Sequence, residues 1–123
     1  MYTLDTNVII YYLKGDAAVV SFFDSLLGKD ISFYASTITE LELLSFSTLA
    51  PSEQNLIKEL LATISIIPVD SQIARLAAAV RRISHAKIPD SIIAATALFT
   101  GSTLLTRNIK DFKNIPSLSV RKV

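Results

Sequence analysis

The chain has 123 residues, of which half are apolar and 19% are charged, with a formal net charge of +1. These values fit one folded domain with a sizeable core and exclude a disordered chain. Cysteine is absent and His85 is the only histidine, which excludes disulfides, thiolate chemistry and zinc sites built on histidine pairs.

Short apolar segments bounded by turn residues predict five strands, at residues 2–4, 31–36, 65–69, 103–105 and 118–120. Helices are predicted between them, at residues 7–13, 39–46 and 92–99 and in segments that begin after Asp16, at Pro51 and after Asp70. The helix after Asp70 carries an apolar stripe from Ile73 to Ile83, which we expect to be buried. The alternation predicts one α/β domain, residues 1–123, in which helices cover both faces of a parallel sheet.

Charge is unevenly distributed along the chain. Residues 1–62 contain three Lys/Arg and eight Asp/Glu, whereas residues 63–123 contain nine Lys/Arg and three Asp. This asymmetry is typical of a nucleic-acid surface beside an acidic site, although chance segregation of surface charges gives the same pattern. The apolar run at residues 8–13 has no basic leading region and is too short to span a bilayer, so we expect a cytoplasmic protein without a membrane segment.

Four acidic residues follow predicted strands or begin predicted helices: Asp5, Glu42, Asp90 and Asp111. In a parallel sheet these points lie at the carboxyl edge, where such folds bind their ligands. Carboxylates that converge there repel each other unless a cation neutralises them, and oxygen ligands suit Mg²⁺ or Mn²⁺. The pattern therefore predicts a metal-assisted phosphodiesterase.

Each of these acids also has a purely structural interpretation. Asp5 and Asp90 are good helix caps, and Glu42 completes a capping box with Thr39. Asp111 fits an ordinary surface turn. The metal interpretation depends on all four side chains meeting at one edge of the sheet.

Four segments resemble the successive motifs of PIN-domain nucleases, and they occur in the right order along the whole chain: DTNVII, STITELEL, KIPDSIIAATA and LLTRNIKDF. The small size is similar to that of VapC-type toxins of prokaryotic toxin–antitoxin pairs. The resemblance implies a three-layer α/β/α sandwich with parallel strands in the order 3-2-1-4-5. It also implies a Mg²⁺-dependent (or Mn²⁺-dependent) endoribonuclease.

The resemblance assigns Asp5 and Asp90 as the firmest metal ligands, with Thr6 and Asn7 shaping the loop beside Asp5. It selects Glu42 rather than Glu40 as the motif's glutamate, since Glu40 points to another side of the same helix.

The last motif departs from many relatives, because Asn108 stands where they carry an aspartate. Asp111 is expected to supply that charge as the fourth catalytic and metal-binding acid, and Thr106 to orient the loop. A second metal is left open by this departure.

Cationic residues flank the last motif and are predicted to contact RNA phosphates, namely Arg107, Lys110 and Lys113. A solvated turn is the alternative for this segment. The resemblance further implies a small antitoxin partner that covers the active site, and a homodimer.

A PIN-like module with weak or no catalysis, which binds RNA or a protein, is the main alternative function, and Asn108 is the feature that permits it. A phosphoacceptor receiver domain is disfavoured because the expected acid pair after the first strand is absent. A phosphate-binding nucleotide loop cannot be assembled from three glycines.

Overall fold

A computed structural model describes all residues from Met1 to Val123. The five strands are β1 (Tyr2–Leu4), β2 (Phe33–Ser36), β3 (Ser65–Ile67), β4 (Thr103–Thr106) and β5 (Val120–Lys122). The seven helices are α1 (Thr6–Leu13), α2 (Ala17–Asp24), α3 (Thr37–Leu44), α4 (Pro51–Leu61), α5 (Ser71–Ser84), α6 (Ile88–Thr100) and α7 (Ile109–Phe112). No helix combines the length and apolar character needed to cross a membrane.

The strands form one parallel sheet in the order β3-β2-β1-β4-β5, which confirms the predicted order. The first strand therefore lies in the middle of the sheet. Its carboxyl end, which leads directly into Asp5, is flanked by the ends of β2 and β4.

Both faces of the sheet are covered, as neighbouring residues of β4 show. Leu104 and Leu105 are fully buried and point to opposite faces because side chains alternate along a strand. Leu105 belongs to an apolar cluster with residues of α1, α2, α3 and α4, whereas Leu104 packs with residues of α5, α6 and α7. Burying each leucine stabilises the fold by about 2 kcal/mol.

Several helix boundaries follow the predicted caps. Asp16 accepts hydrogen bonds from the backbone N–H groups of Ala18 and Val19, and Asp70 accepts one from Ile73 at 2.9 Å. At the end of α6, Gly101 adopts φ +65°, a left-handed conformation that glycine tolerates at little cost.

Two predicted caps were wrong. Helix α3 begins two residues before Thr39, because Ser36 is its N-cap and accepts a hydrogen bond from the Ile38 N–H. Helix α6 is preceded by Lys87 as its N-cap, so Asp90 is the third residue of the helix. Both acids that capping would have occupied, Glu42 and Asp90, are therefore free for other interactions.

Three further expectations need correction. Ile83, predicted on the buried stripe of α5, is 61% exposed because no other element covers that turn. The last strand lies two residues later than predicted, since Ser117 (φ +64°) turns the chain first and an edge strand accommodates charged residues such as Arg121. The segment after β4, for which a solvated turn was the alternative interpretation, contains the short helix α7.

Candidate active site

The four predicted acids lie at the carboxyl edge of the sheet. Asp5 directly follows β1, Asp90 is in the first turn of α6, Glu42 is on α3 and Asp111 is on α7, after β4. The charges of the other three all raise the pKa of Asp90, and those of Glu42 and Asp111 raise the pKa of Asp5. The structure therefore brings all four carboxylates into one electrostatic neighbourhood.

Asp5 is a buried carboxylate, with only 5% of its surface exposed. It occupies the N-cap position of α1, yet its side chain caps no backbone group; instead its Oδ2 accepts a hydrogen bond from Thr106 Oγ1 at 2.7 Å. The Asn108 N–H in turn donates to Thr106 Oγ1 at 2.9 Å, which fixes the hydroxyl. Burial raises the pKa of Asp5, the Thr106 bond lowers it in part, and no cationic side chain forms an ion pair with it.

Asp90 is partly buried at the start of α6. Burial is the main cause that raises its pKa to about 6, followed by repulsion from Asp5, Asp111 and Glu42, while the charge of Lys87 lowers it. A carboxylate with these neighbours gains from a bound cation, because the cation reverses the sign of the dominant charge in the site.

Glu42 is held by the residue that follows Asp5. Thr6 Oγ1 donates to Glu42 Oε1 at 2.7 Å and lies 3.1 Å from the buried hydroxyl of Thr39. The prediction that Glu42, rather than Glu40, belongs to the site is thus supported by the hydrogen bond from Thr6. The sequence suggested Thr39 only as a helix cap, and no local pattern indicates that it packs beside Thr6.

Three more predicted residues lie at the rim. Asp111 and Asn108 are exposed on and before α7, and Asn7 is exposed in the first turn of α1. Asn108 is the N-cap of α7, but its side chain forms no cap bond. Its contribution to the site is its backbone N–H, which an aspartate in the same conformation would supply equally well.

The cationic residues of the last motif divide into two kinds. Lys110 and Lys113 are exposed and form no ion pair. Arg107 binds both carboxylate oxygens of Asp16, at 2.7 and 3.0 Å, donates from Nε to the Val123 carbonyl at 2.9 Å, and lies 4.3 Å from the Tyr11 ring centre. The guanidinium of Arg107 thus joins the end of β4 to the start of α2, and its contact with RNA stays a prediction.

The partner of Arg107 could not be found from sequence pattern. The sequence predicts Asp16 only as a helix cap, and the structure confirms that it caps α2. Asp16 and Arg107 are 91 positions apart, so no local pattern connects them. Bidentate pairs of this kind restrict geometry as well as contributing energy. Arg107 therefore anchors the carboxyl end of β4, where Thr106 lies.

The donor set fits a hard divalent ion, although the side chains do not form a complete cage. No group of three or more acidic or histidine side chains lies close enough together to enclose a metal. Mg²⁺ is commonly bound by one or two carboxylates plus water and phosphate, which this arrangement permits. Asp5 and Asp90 are the best candidates, since both are desolvated and neither has an ion-pair partner; the chain's single ion pair joins Arg107 and Asp16.

Comparison with known proteins identifies relatives over nearly the full chain. Ribonuclease VapC19 from Mycobacterium tuberculosis is 28% identical, over 96% of this chain and 97% of its own length. A chain of VapBC2 from Rickettsia felis, solved bound to a promoter DNA fragment, superposes with a TM-score of 0.86 at 26% identity, covering 99% of this chain and 98% of that one. A chain of a toxin–antitoxin complex from Klebsiella pneumoniae gives 0.82 at 27% identity, with full coverage of both chains. The sequence model of the PIN domain matches residues 2–118, and this chain therefore belongs to the PIN-domain family.

Proposed function

We propose that this protein is a divalent-metal-dependent endoribonuclease and the toxin of a VapBC-type toxin–antitoxin pair. The observation that carries the proposal is the pairing of Asp5 and Asp90, two desolvated carboxylates without cationic partners, at the ligand-binding edge of a PIN-domain sheet. The ribonuclease name of VapC19, a relative over nearly the full chain, supports it.

The reaction is the hydrolysis of an RNA phosphodiester. Water attacks phosphorus, the bond to the 3′-oxygen breaks, and the products carry a 5′-phosphate and a 3′-hydroxyl. A bound Mg²⁺ or Mn²⁺ ion supplies positive charge for the phosphate and makes water more acidic.

The chain's own residues hold and orient these groups. Asp5 and Asp90 would bind the ion through carboxylate oxygens, and Thr106 keeps Asp5 in its orientation through the 2.7 Å hydrogen bond. Glu42, held by Thr6, would accept a proton from the attacking water, and Asp111 would add negative charge near Asp90. Asn7 and Asn108 line the rim.

The exposed cationic residues of the last motif are proposed to bind the RNA. Lys110 and Lys113 flank Asp111 and are free to meet phosphates, which dominate the affinity of nucleic-acid binding. Arg107 contributes indirectly, by holding the loop between β4 and α7.

The test is cleavage of RNA by conservative variants. Asp5→Asn and Asp90→Asn should each lower cleavage about 100-fold or more, because each removes a charged metal ligand. Asp30→Asn, at an exposed loop position, is the matched control and should cleave normally. Removal of metal with EDTA should abolish cleavage, and added Mg²⁺ or Mn²⁺ should restore it; full activity of either site variant on the true substrate contradicts the assignment.

Calorimetric measurement of Mn²⁺ binding distinguishes the proposed nuclease from the alternative, an inactive binding module. A functional site binds Mn²⁺ measurably and loses that binding in Asp5→Asn, whereas an inactive module binds the ion poorly in both forms.

A small antitoxin is the proposed protein partner. Two apolar depressions suit a protein ligand. One of about 250 Å³ is lined by residues of α1, α2 and α4 together with the exposed Leu27 in the turn after α2, and one of about 220 Å³ lies between α1, α3 and α4. Co-purification with the product of a neighbouring antitoxin gene, and loss of cleavage in that complex, tests the partner. Sedimentation of the toxin alone tests the expected homodimer.

A further inference from the structure

A groove between α5 and α6 opens beside the acidic edge of the sheet. Only three residues connect the two helices, so they pack antiparallel, and the end of α5 lies next to the start of α6, where Asp90 is. The groove has a volume of about 500 Å³, within the range of sites that bind small organic groups. Ser91, the neighbour of Asp90, is one of its lining residues.

The floor of the groove is apolar and partly open to solvent. Ala74 and Ala78 of α5 are exposed small residues, and Ile88 of α6 is 57% exposed on the facing wall. A purely solvated helix surface rarely places aliphatic side chains together around a concave surface. The shape suits a flat group that shields these residues from water.

The rim of the groove is positively charged without counter-ions. Arg81 and Arg82 line the groove, no acidic residue does, and neither arginine forms an ion pair. Arg81 uses only its Nε, which donates to the Ala86 carbonyl at 3.0 Å, so its terminal nitrogens are available. Lys87, exposed at the start of α6, continues this charge toward Asp90.

We propose that this groove is a nucleotide subsite, which binds the base and ribose of a residue next to the scissile bond while Arg81, Arg82 and Lys87 bind its phosphates. The proposal rests on the proposed function and adds to it the direction in which the RNA strand leaves the metal site. Charge complementarity with a phosphate chain and the position beside Asp90 select RNA as the occupant rather than a second protein chain.

Binding can be tested without cleavage. The probe is a fluorescent 12-nucleotide single-stranded oligouridylate, and its anisotropy is followed with the Asp5→Asn protein in EDTA. The double variant Arg81→Gln/Arg82→Gln should weaken binding about 10-fold and reduce the slope of log affinity against log salt by about 1.4, since two phosphate contacts are lost. Arg75→Gln, exposed on the same helix outside the groove, is the matched control and should bind about as the parent does.

A second variant fills the groove and leaves its charges in place. Ala78→Leu should weaken binding several-fold with an unchanged salt slope, because the added side chain occupies the floor at an exposed position. In the nuclease with Asp5 intact, both groove variants should raise KM more than they lower kcat. If no variant cleaves RNA while the binding differences persist, the nuclease proposal fails and the subsite stands.

Two results overturn the subsite. In the first, Ala78→Leu binds normally and the double arginine variant matches Arg75→Gln. In the second, Ala78→Leu converts a dimer to a monomer in sedimentation, which assigns the groove to a second copy of this chain.

Discussion

Replacing Asp90 with asparagine should stabilise the metal-free protein at neutral pH while removing a ligand of the proposed metal site. The pKa of Asp90 is raised from its ordinary value of 3.8 to about 6 in the folded chain. The unfolded chain therefore ionises this residue first as the pH rises above about 4. The folded state then loses stability between pH 4 and pH 6, and the loss is complete above that range.

The magnitude follows from the size of the shift. A change from 3.8 to about 6 corresponds to about 3 kcal/mol for the ionised group. Asp90 is only partly buried, so solvent screening reduces the expected effect to about 1–2 kcal/mol. Asparagine carries no charge and avoids this penalty at every pH.

The assay is urea unfolding in EDTA, followed by circular dichroism at pH 4 and pH 7.5. Asp90→Asn should exceed the wild type by about 1–2 kcal/mol at pH 7.5 and match it at pH 4. Asp30→Asn serves as the exposed control and should show no such difference. With Mg²⁺ at 100 times its Kd the order reverses, since the wild type alone gains about 2.7 kcal/mol from binding.

The reasoning is refuted if Asp90→Asn is no more stable than the wild type at pH 7.5 in EDTA. Equal advantages at both pH values would also refute it, because the effect must then come from something other than ionisation.

Two further predictions concern contacts that hold the site. Thr106→Val removes the hydrogen bond to Asp5, so the pKa of Asp5 should rise further and Mn²⁺ affinity should fall about 10–100-fold in calorimetry. Thr96→Val is the matched control, because it removes an equally buried hydroxyl that is bonded to a helix carbonyl. This control should leave Mn²⁺ affinity unchanged. Asp16→Asn breaks the ion pair with Arg107, whose hydrogen bond is the main cause of the lowered pKa of Asp16. That pair contributes stability above the ordinary pKa and loses it as the pH falls through the lowered one. Thermal unfolding at pH 7 should therefore show a lower midpoint for Asp16→Asn, and a midpoint equal to that of the wild type would contradict the role given to the pair.

The parallel α/β architecture and the position of the four acids at one edge of the sheet could be predicted from sequence because both depend on local pattern, whereas the strand order was implied by the resemblance to PIN-domain nucleases. Short apolar runs mark the strands, and a parallel sheet sends every strand's carboxyl end to one edge. Asp5 and Asp90 are therefore expected at the same edge of the sheet once its topology is known. Their identity as ligands stays a prediction, supported by their burial and mutual repulsion.

Helix starts were harder to predict because several residues in a row are acceptable caps. Ser36 and Thr39 both fit the beginning of α3, and only the observed backbone selects Ser36. The ion pair between Arg107 and Asp16 could not be predicted for another reason. Asp16 lies 91 residues earlier in the chain, and no periodicity connects the two positions. Long-range polar pairs of this kind are set by tertiary packing.

The bond between Thr106 and Asp5 joins positions 101 residues apart, near opposite ends of the chain. During synthesis Asp5 emerges early, but its partner is added only after β4, and strands with such distant neighbours pair late. A nascent or truncated polypeptide thus has the first carboxylate without the hydroxyl that orients it. In the proposed nuclease, the site is therefore complete only after β4 has been synthesised.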